Sequence, residues 1–181
     1  MLLAALSIAC CSIGATAAVD DAALIALARA AVTTQVHSAP APVPKTKTTP
    51  APVFVTIERH GRVLGCRGSL DIRTQSLEQE VLLAARNAAA HDPRYPPLRS
   101  KDLESFLVTV TIVERVLPIR DVVGLQPEDG LVLESEGKKG VVLPWEGKDP
   151  QVRLGWAYRK AGVPRGSAVS LYRLTARRFR G

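Results

Sequence analysis

The strict alternation from Phe106 to Val113 constrains this chain more than any other feature. Phe106, Val108, Val110 and Ile112 fall on one side, and Leu107, Thr109, Thr111 and Val113 on the other. Period two is the signature of a strand, and a run that is largely apolar on both faces predicts a central one. A central strand needs a neighbour on each edge, and the rest of the sequence supplies candidates. VFVTIE, from Val53, leads through Arg59-His60-Gly61-Arg62 into VLGCRGSL, which reads as a β-hairpin. With His60 and Gly61 as the loop, Arg59 is expected opposite Arg62, Thr56 opposite Gly65 and Val55 opposite Cys66. GLVLESEGKKGVVLP predicts a second hairpin turning around Gly137-Lys138. Leu171 to Phe179 predicts a last strand, with Tyr172, Leu174 and Ala176 inward and Arg173, Thr175 and Arg177 outward.

Helical periodicity separates these strands. Asp20 to Val36 places Leu24, Leu27, Ala28 and Ala31 on one face, with Asp20 and Asp21 at its positive end. Ser76 opens a second helix with capping-box spacing to Gln79, and Leu77, Val81, Ala84, Ala85 and Ala88 share its apolar face. Asp92-Pro93 stops it. A short helical turn is expected near Ser100 to Glu104. Asp149-Pro150 is an N-cap followed by an N1 proline, and the third helix carries Leu154, Ala157, Tyr158 and Ala161 to a stop at Gly162. Hairpins mixed with helices, without βαβ regularity, predict an α+β fold with a mainly antiparallel sheet flanked by helices. Residues 37–52 are rich in Pro, Thr and Lys and read as an extended, partly mobile linker within one domain over 19–181.

Residues 1–18 carry no charge and end near Ala15-Thr16-Ala17, which reads as a signal-like apolar leader and points to export. The alternative is a cytoplasmic chain whose start lies too far upstream. The leader is too short and interrupted for a membrane span. Cys10 and Cys11 lie in it, so the folded part has one thiol, Cys66. That leaves no internal disulfide, and no Cys/His cluster has metal-ligand spacing. The formal charge of +7 is uneven. All 17 acidic residues precede Arg153, whereas Arg153, Arg159, Lys160, Arg165, Arg173, Arg177, Arg178 and Arg180 follow without one. Such a segment suits an anionic partner, although it lacks the interleaved aromatics that stack on bases.

Gly65-Cys66-Arg67-Gly68 is the most distinctive segment. A thiolate nucleophile needs a base, a cation or a helix N-terminus beside it. His60 lies about 20 Å away along an extended strand, and His37 lies in the linker, which leaves His91 as the candidate base. Glycine on each side permits a bulge or a close approach by ligand or backbone, while the plainer reading is a small thiol packed under a helix. Asp92-Pro93-Arg94-Tyr95-Pro96-Pro97-Leu98 holds Asp92, Arg94 and Tyr95 on a proline-stiffened loop, fit for recognition or for bonding backbone groups. No phosphate loop, dinucleotide fingerprint or serine elbow is present, so no cofactor is implied.

Together these strings resemble one family. Phe54-Val55-Thr56 with Gly65-Cys66-Arg67-Gly68-Ser69-Leu70 is similar to the F-V-T strand and L-R-G-C-I-G signature of the AMMECR domain, whose bacterial and archaeal members are called AmmeMemoRadiSam system protein A. The Asp92–Leu98 loop, Asp129–Leu133, Gly140–Pro144 and Arg159–Gly162 follow in the family's order. Leu64 stands where the signature has Arg, and Arg67 where it has Ile, so the basic group moves to another strand face. The resemblance implies an α+β fold with a smaller lobe and association with Memo-like and radical-SAM proteins. Three functions remain open at this point. One is a binding or adaptor module presenting Gly65, Arg67, Gly68 and the Arg94-Tyr95 loop. The others are an enzyme using Cys66 with His91, and a nucleic-acid binder using the Arg-rich C-terminal segment.

Overall fold

The alternating run becomes the middle of a sheet. A computed structural model describes residues 20–181, so the leader expected over 1–18 lies outside the described residues. In chain order the elements are α1 (Asp21–Val36), β1 (Val53–Arg59), β2 (Arg62–Gly68), α2 (Leu77–Ala90), a 3-10 turn (Ser100–Leu103), β3 (Leu107–Ile119), β4 (Gly130–Ser135), β5 (Lys138–Val142), α3 (Pro150–Ala161) and β6 (Ser170–Arg180). The strands form one six-stranded sheet in the order β2-β1-β3-β6-β4-β5. Every pairing is antiparallel. The fold is α+β.

Register assigns the faces. Val53, Val55 and Ile57 of β1 lie opposite Ile112, Val110 and Val108 of β3, and this face is covered by α1 and α2. At the far end Leu131, Leu133 and Val142 pack on Ala157 and Ala161 of α3, with Leu171 of β6 beside them. Alternation along β6 puts Leu171 and Phe179 on one side, so all three helices cover the same face of the sheet. The other face carries a third cluster of Phe54, Val113, Val132, Leu143 and Leu174, with Cys66, Val141 and Tyr172 against it.

Two departures from the sequence reading matter. The first hairpin turns at His60-Gly61 and pairs Arg59 with Arg62, as expected, but a β-bulge near Leu64 shifts the register. Cys66 lies opposite Thr56 and Gly65 opposite Ile57, one residue from the expected pairing. A slip of one residue moves a side chain to the other face. Cys66 therefore sits on the helix-free face, and Gly65 is the residue under α2. A Cβ on Gly65 would collide with the Ala88 carbonyl, so the glycine there serves helix-to-strand contact. The second hairpin turns at Glu136-Gly137 rather than Gly137-Lys138, with φ of 49° and 78° and Ser135 opposite Lys138. Two left-handed residues match the twist of a tight hairpin.

The Pro-rich stretch has no regular structure, yet it is tied down. Glu78 accepts from Thr48 N–H at 2.9 Å and from the Thr46 hydroxyl at 3.0 Å, and Leu77 N–H donates to Thr48 O at 3.2 Å. Burial alone would raise the Glu78 carboxyl, but these donors outweigh it and hold the group below the usual range.

Candidate functional site

A cleft of about 740 Å³ opens on the helix-free side. Its lining joins the two ends of the sheet: Cys66, Arg67 and Gly68 from β2 face Lys139 and Val141 from β5. Strands at opposite ends of the order can share a cleft only because the sheet is curled. Phe54, Val63, Val141 and Leu143 supply the apolar part, and α3 adds Trp156, Arg159 and Lys160.

Each edge strand is capped where it meets the cleft. On β2, Asp92 accepts the Cys66 N–H at 2.8 Å, while Arg94 donates to the Cys66 carbonyl at 2.9 Å. Arg94 also grips Asp92 through Nε at 2.9 Å and NH2 at 2.8 Å. Burial would raise the Asp92 carboxyl, but the bonds from Arg94 and the Cys66 N–H prevail and hold it low. The same contact with Asp92 pushes the Arg94 guanidinium further up. On β5, Lys160 donates to the Val141 carbonyl at 2.8 Å and to Glu146 at 2.6 Å. An ion pair thus stands in for a neighbouring strand at both edges, which blunts them.

Cys66 is half-buried and its sulfur accepts the Thr56 hydroxyl at 3.2 Å. Burial pushes its thiol up, Glu146 adds to this, and the Thr56 bond, Lys160 and Arg94 only partly oppose it. A thiol raised in this way is protonated at neutral pH and is a poor nucleophile. Gly68 has a packing reason as well, because a Cβ there would lie 2.5 Å from the Phe54 ring.

The AMMECR1 family model matches residues 25–181. The chain belongs to the AMMECR1 family. It is 33% identical over 135 residues to a protein of Thermotoga maritima, covering 72% of this chain and 78% of that one. It is 30% identical over 196 residues to a protein of Thermofilum pendens, covering 92% of each. The solved structure of uncharacterized protein PH0010 from Pyrococcus horikoshii is similar at a TM-score of 0.73 and 25% identity, over 87% of this chain and 89% of that one.

In this AMMECR1 domain, Cys66, Arg67, Gly68 and Arg94 meet at the cleft, and Gly65 backs it from beneath α2. Asp92 is buried behind them. Tyr95 lines a continuation of about 120 Å³. His91 is not brought in: it is the exposed C-cap of α2, and neither opening is lined by it. The C-terminal arginines do not form one surface. Arg177 pairs with Asp21, Arg180 with Glu58, Arg178 reaches the continuation, and Arg153 is buried with its guanidinium on the Gln126 and Asp129 carbonyls. Lys139, Glu146 and Trp156 escaped the sequence reading, which took Arg159 and Lys160 only as part of the basic C-terminal segment and of a family block. The missed signal was the i, i+3, i+4 stripe of Trp156, Arg159 and Lys160, on a helix whose buried face is Ala157 and Ala161. Among the described residues no helix is long and apolar enough to cross a membrane.

Proposed function

We propose that the domain is a binding or adaptor module that recognises its partner through the cleft, and that it works with Memo-like and radical-SAM proteins, as its family resemblance implies. The lining carries this reading. Lys139, Arg159 and an apolar floor meet there across from the Cys66–Gly68 strand, with Arg67 also in the lining, while the thiol is pushed toward its protonated form. Such a surface can hold an anion or an acidic patch without chemistry of its own. Purified Memo-like and radical-SAM proteins from the same organism should co-elute with the domain on gel filtration at micromolar concentration. The double variant Arg67→Glu, Arg159→Glu should abolish that complex. Failure of both proteins to co-elute, or a complex that survives the charge reversal, would sink the reading.

A second reading, an enzyme or enzyme component with Cys66 as nucleophile, draws support from the presence of Cys66 in the lining. Its raised thiol counts against it, and the pH profile of Cys66 alkylation by iodoacetamide separates the two. Nucleic-acid binding through the C-terminal arginines draws less support, because Arg177, Arg180 and Arg153 are already engaged.

A further inference from the structure

Six of the 24 Lys and Arg side chains are paired with a carboxylate among the described residues. Arg59, Arg73, Arg94, Lys160, Arg177 and Arg180 each stand within 4.0 Å of an acidic oxygen. Arg67, Lys139 and Arg159 line the cleft without an ion pair or side-chain hydrogen bond among the described residues. The one acidic residue in the lining, Glu146, is occupied by Lys160 at 2.6 Å and by the Leu143 N–H at 3.2 Å. The cleft is therefore a site of uncompensated positive charge, which repels metal cations and attracts anions.

The occupied edges narrow the choice of anion. A peptide added as a strand needs free backbone groups. At the cleft the Cys66 N–H and carbonyl are held by Asp92 and Arg94, and the Val141 carbonyl by Lys160. Recognition is left to charge and to ring faces.

Rings are present in an unusual concentration. The chain has only two tryptophans, and both lie here. Trp156 lines the main cleft, with its ring packed so closely on Gly147 that a Cβ there would come within 2.7 Å of it. Trp145 lines the continuation, 56% exposed, at φ 66° and with its backbone N–H donating to Pro127 O at 2.7 Å. A bulky residue in the left-handed region is strained, so the backbone at Trp145 is held in a conformation that free folding would not favour.

We propose that the cleft binds an organic anion carrying a flat ring, the chemistry of a mononucleotide. The ring lies against Trp156 and the apolar floor of Phe54 and Val141, and the phosphate meets Lys139 and Arg159. A cleft of about 740 Å³ is of the size that small-molecule ligands fill. This goes beyond the reading above and rests only on its premise that the cleft takes an anion.

The test is calorimetric titration of the full chain with adenosine monophosphate, adenosine and inorganic phosphate, with tryptophan fluorescence read in parallel. Adenosine monophosphate should bind and change the fluorescence, and adenosine and phosphate should each bind at least about tenfold more weakly. Arg159→Ala or Lys139→Ala, both exposed side chains, should weaken binding about tenfold and flatten its salt dependence. Phosphate binding as tightly as the nucleotide removes the ring from the proposal, and adenosine binding as tightly removes the anion. Unchanged affinity in both rim variants removes the location. No binding at millimolar concentration overturns the ligand class, and the co-elution test with charge-reversed Arg67 and Arg159 then shows separately whether the cleft reading survives.

Discussion

The two ends of the sheet solve the same problem with different strength. At each, a glycine on the edge strand lets a helix close on the backbone: Gly65 under Ala88 of α2, and Gly140 under Ala157 of α3. Each edge is then capped by a cation and a carboxylate. At the β2 end the carboxylate is buried, with the Asp92 side chain 1% exposed, and its partner is the planar fork of Arg94. At the β5 end Lys160 and Glu146 are 25% and 28% exposed and joined at a single point. The β2 end rests on the larger core, built from both α1 and α2. The same device is thus structural at one end and soft at the other, and the cleft lies between a rigid wall and a more yielding one.

The largest effects should come from the glycines. Gly65→Ala should destabilise by about 3 kcal/mol in urea denaturation, since the Ala88 backbone cannot move aside without lifting α2. Gly140→Ala should cost a similar amount locally but detach chiefly α3, so hydrogen exchange should show α3 opening while α1 and α2 stay protected. Equal loss of protection in all three helices would break the distinction between the two ends.

The capping pairs come next. Asp92→Ala leaves the Cys66 N–H and Arg94 without their acceptor and should cost about 2–3 kcal/mol. Glu146→Ala should cost under about 1 kcal/mol, because its pair is partly solvated. Comparable losses would mean that the two caps are equivalent.

Acid should discriminate further. The Asp92 carboxyl is held below its unfolded value, so its contribution is complete above about pH 5 and is lost as pH falls through the unfolded and then the folded value. Asp92→Asn should therefore show a shallower acid limb of stability than the parent between about pH 4 and 2. Parallel limbs would show that Asp92 is not preferentially stabilised as the anion. The smallest effect is Lys160→Met, within about 0.5 kcal/mol of the parent.

The sequence carried much of the fold and less of the site. The caps at Asp20, Ser76 and Asp149, the left-handed stop at Gly162 and the alternation in β3 are local signals, and the structure has each of them. The face of Cys66 was not local. It turns on one extra residue at the bulge, which exchanges the roles of Gly65 and Cys66 and converts an expected thiol under a helix into a cleft-facing one. Asp92 and Arg94 were visible as a stiff loop, but whether they recognised a ligand or bonded backbone depended on where β2 ran. The cleft itself was invisible because Arg67, Lys139 and Arg159 are joined only by the curl of the sheet.

The most direct measurement is the pH dependence of Cys66 alkylation by iodoacetamide, in a chain with Cys10 and Cys11 replaced by serine. A thiol pushed up by burial should react more slowly than a free thiol at pH 7 and reach half its maximal rate only above the ordinary value of about 8.5. A midpoint at or below pH 7 would contradict that result and make Cys66 the reacting group of the cleft.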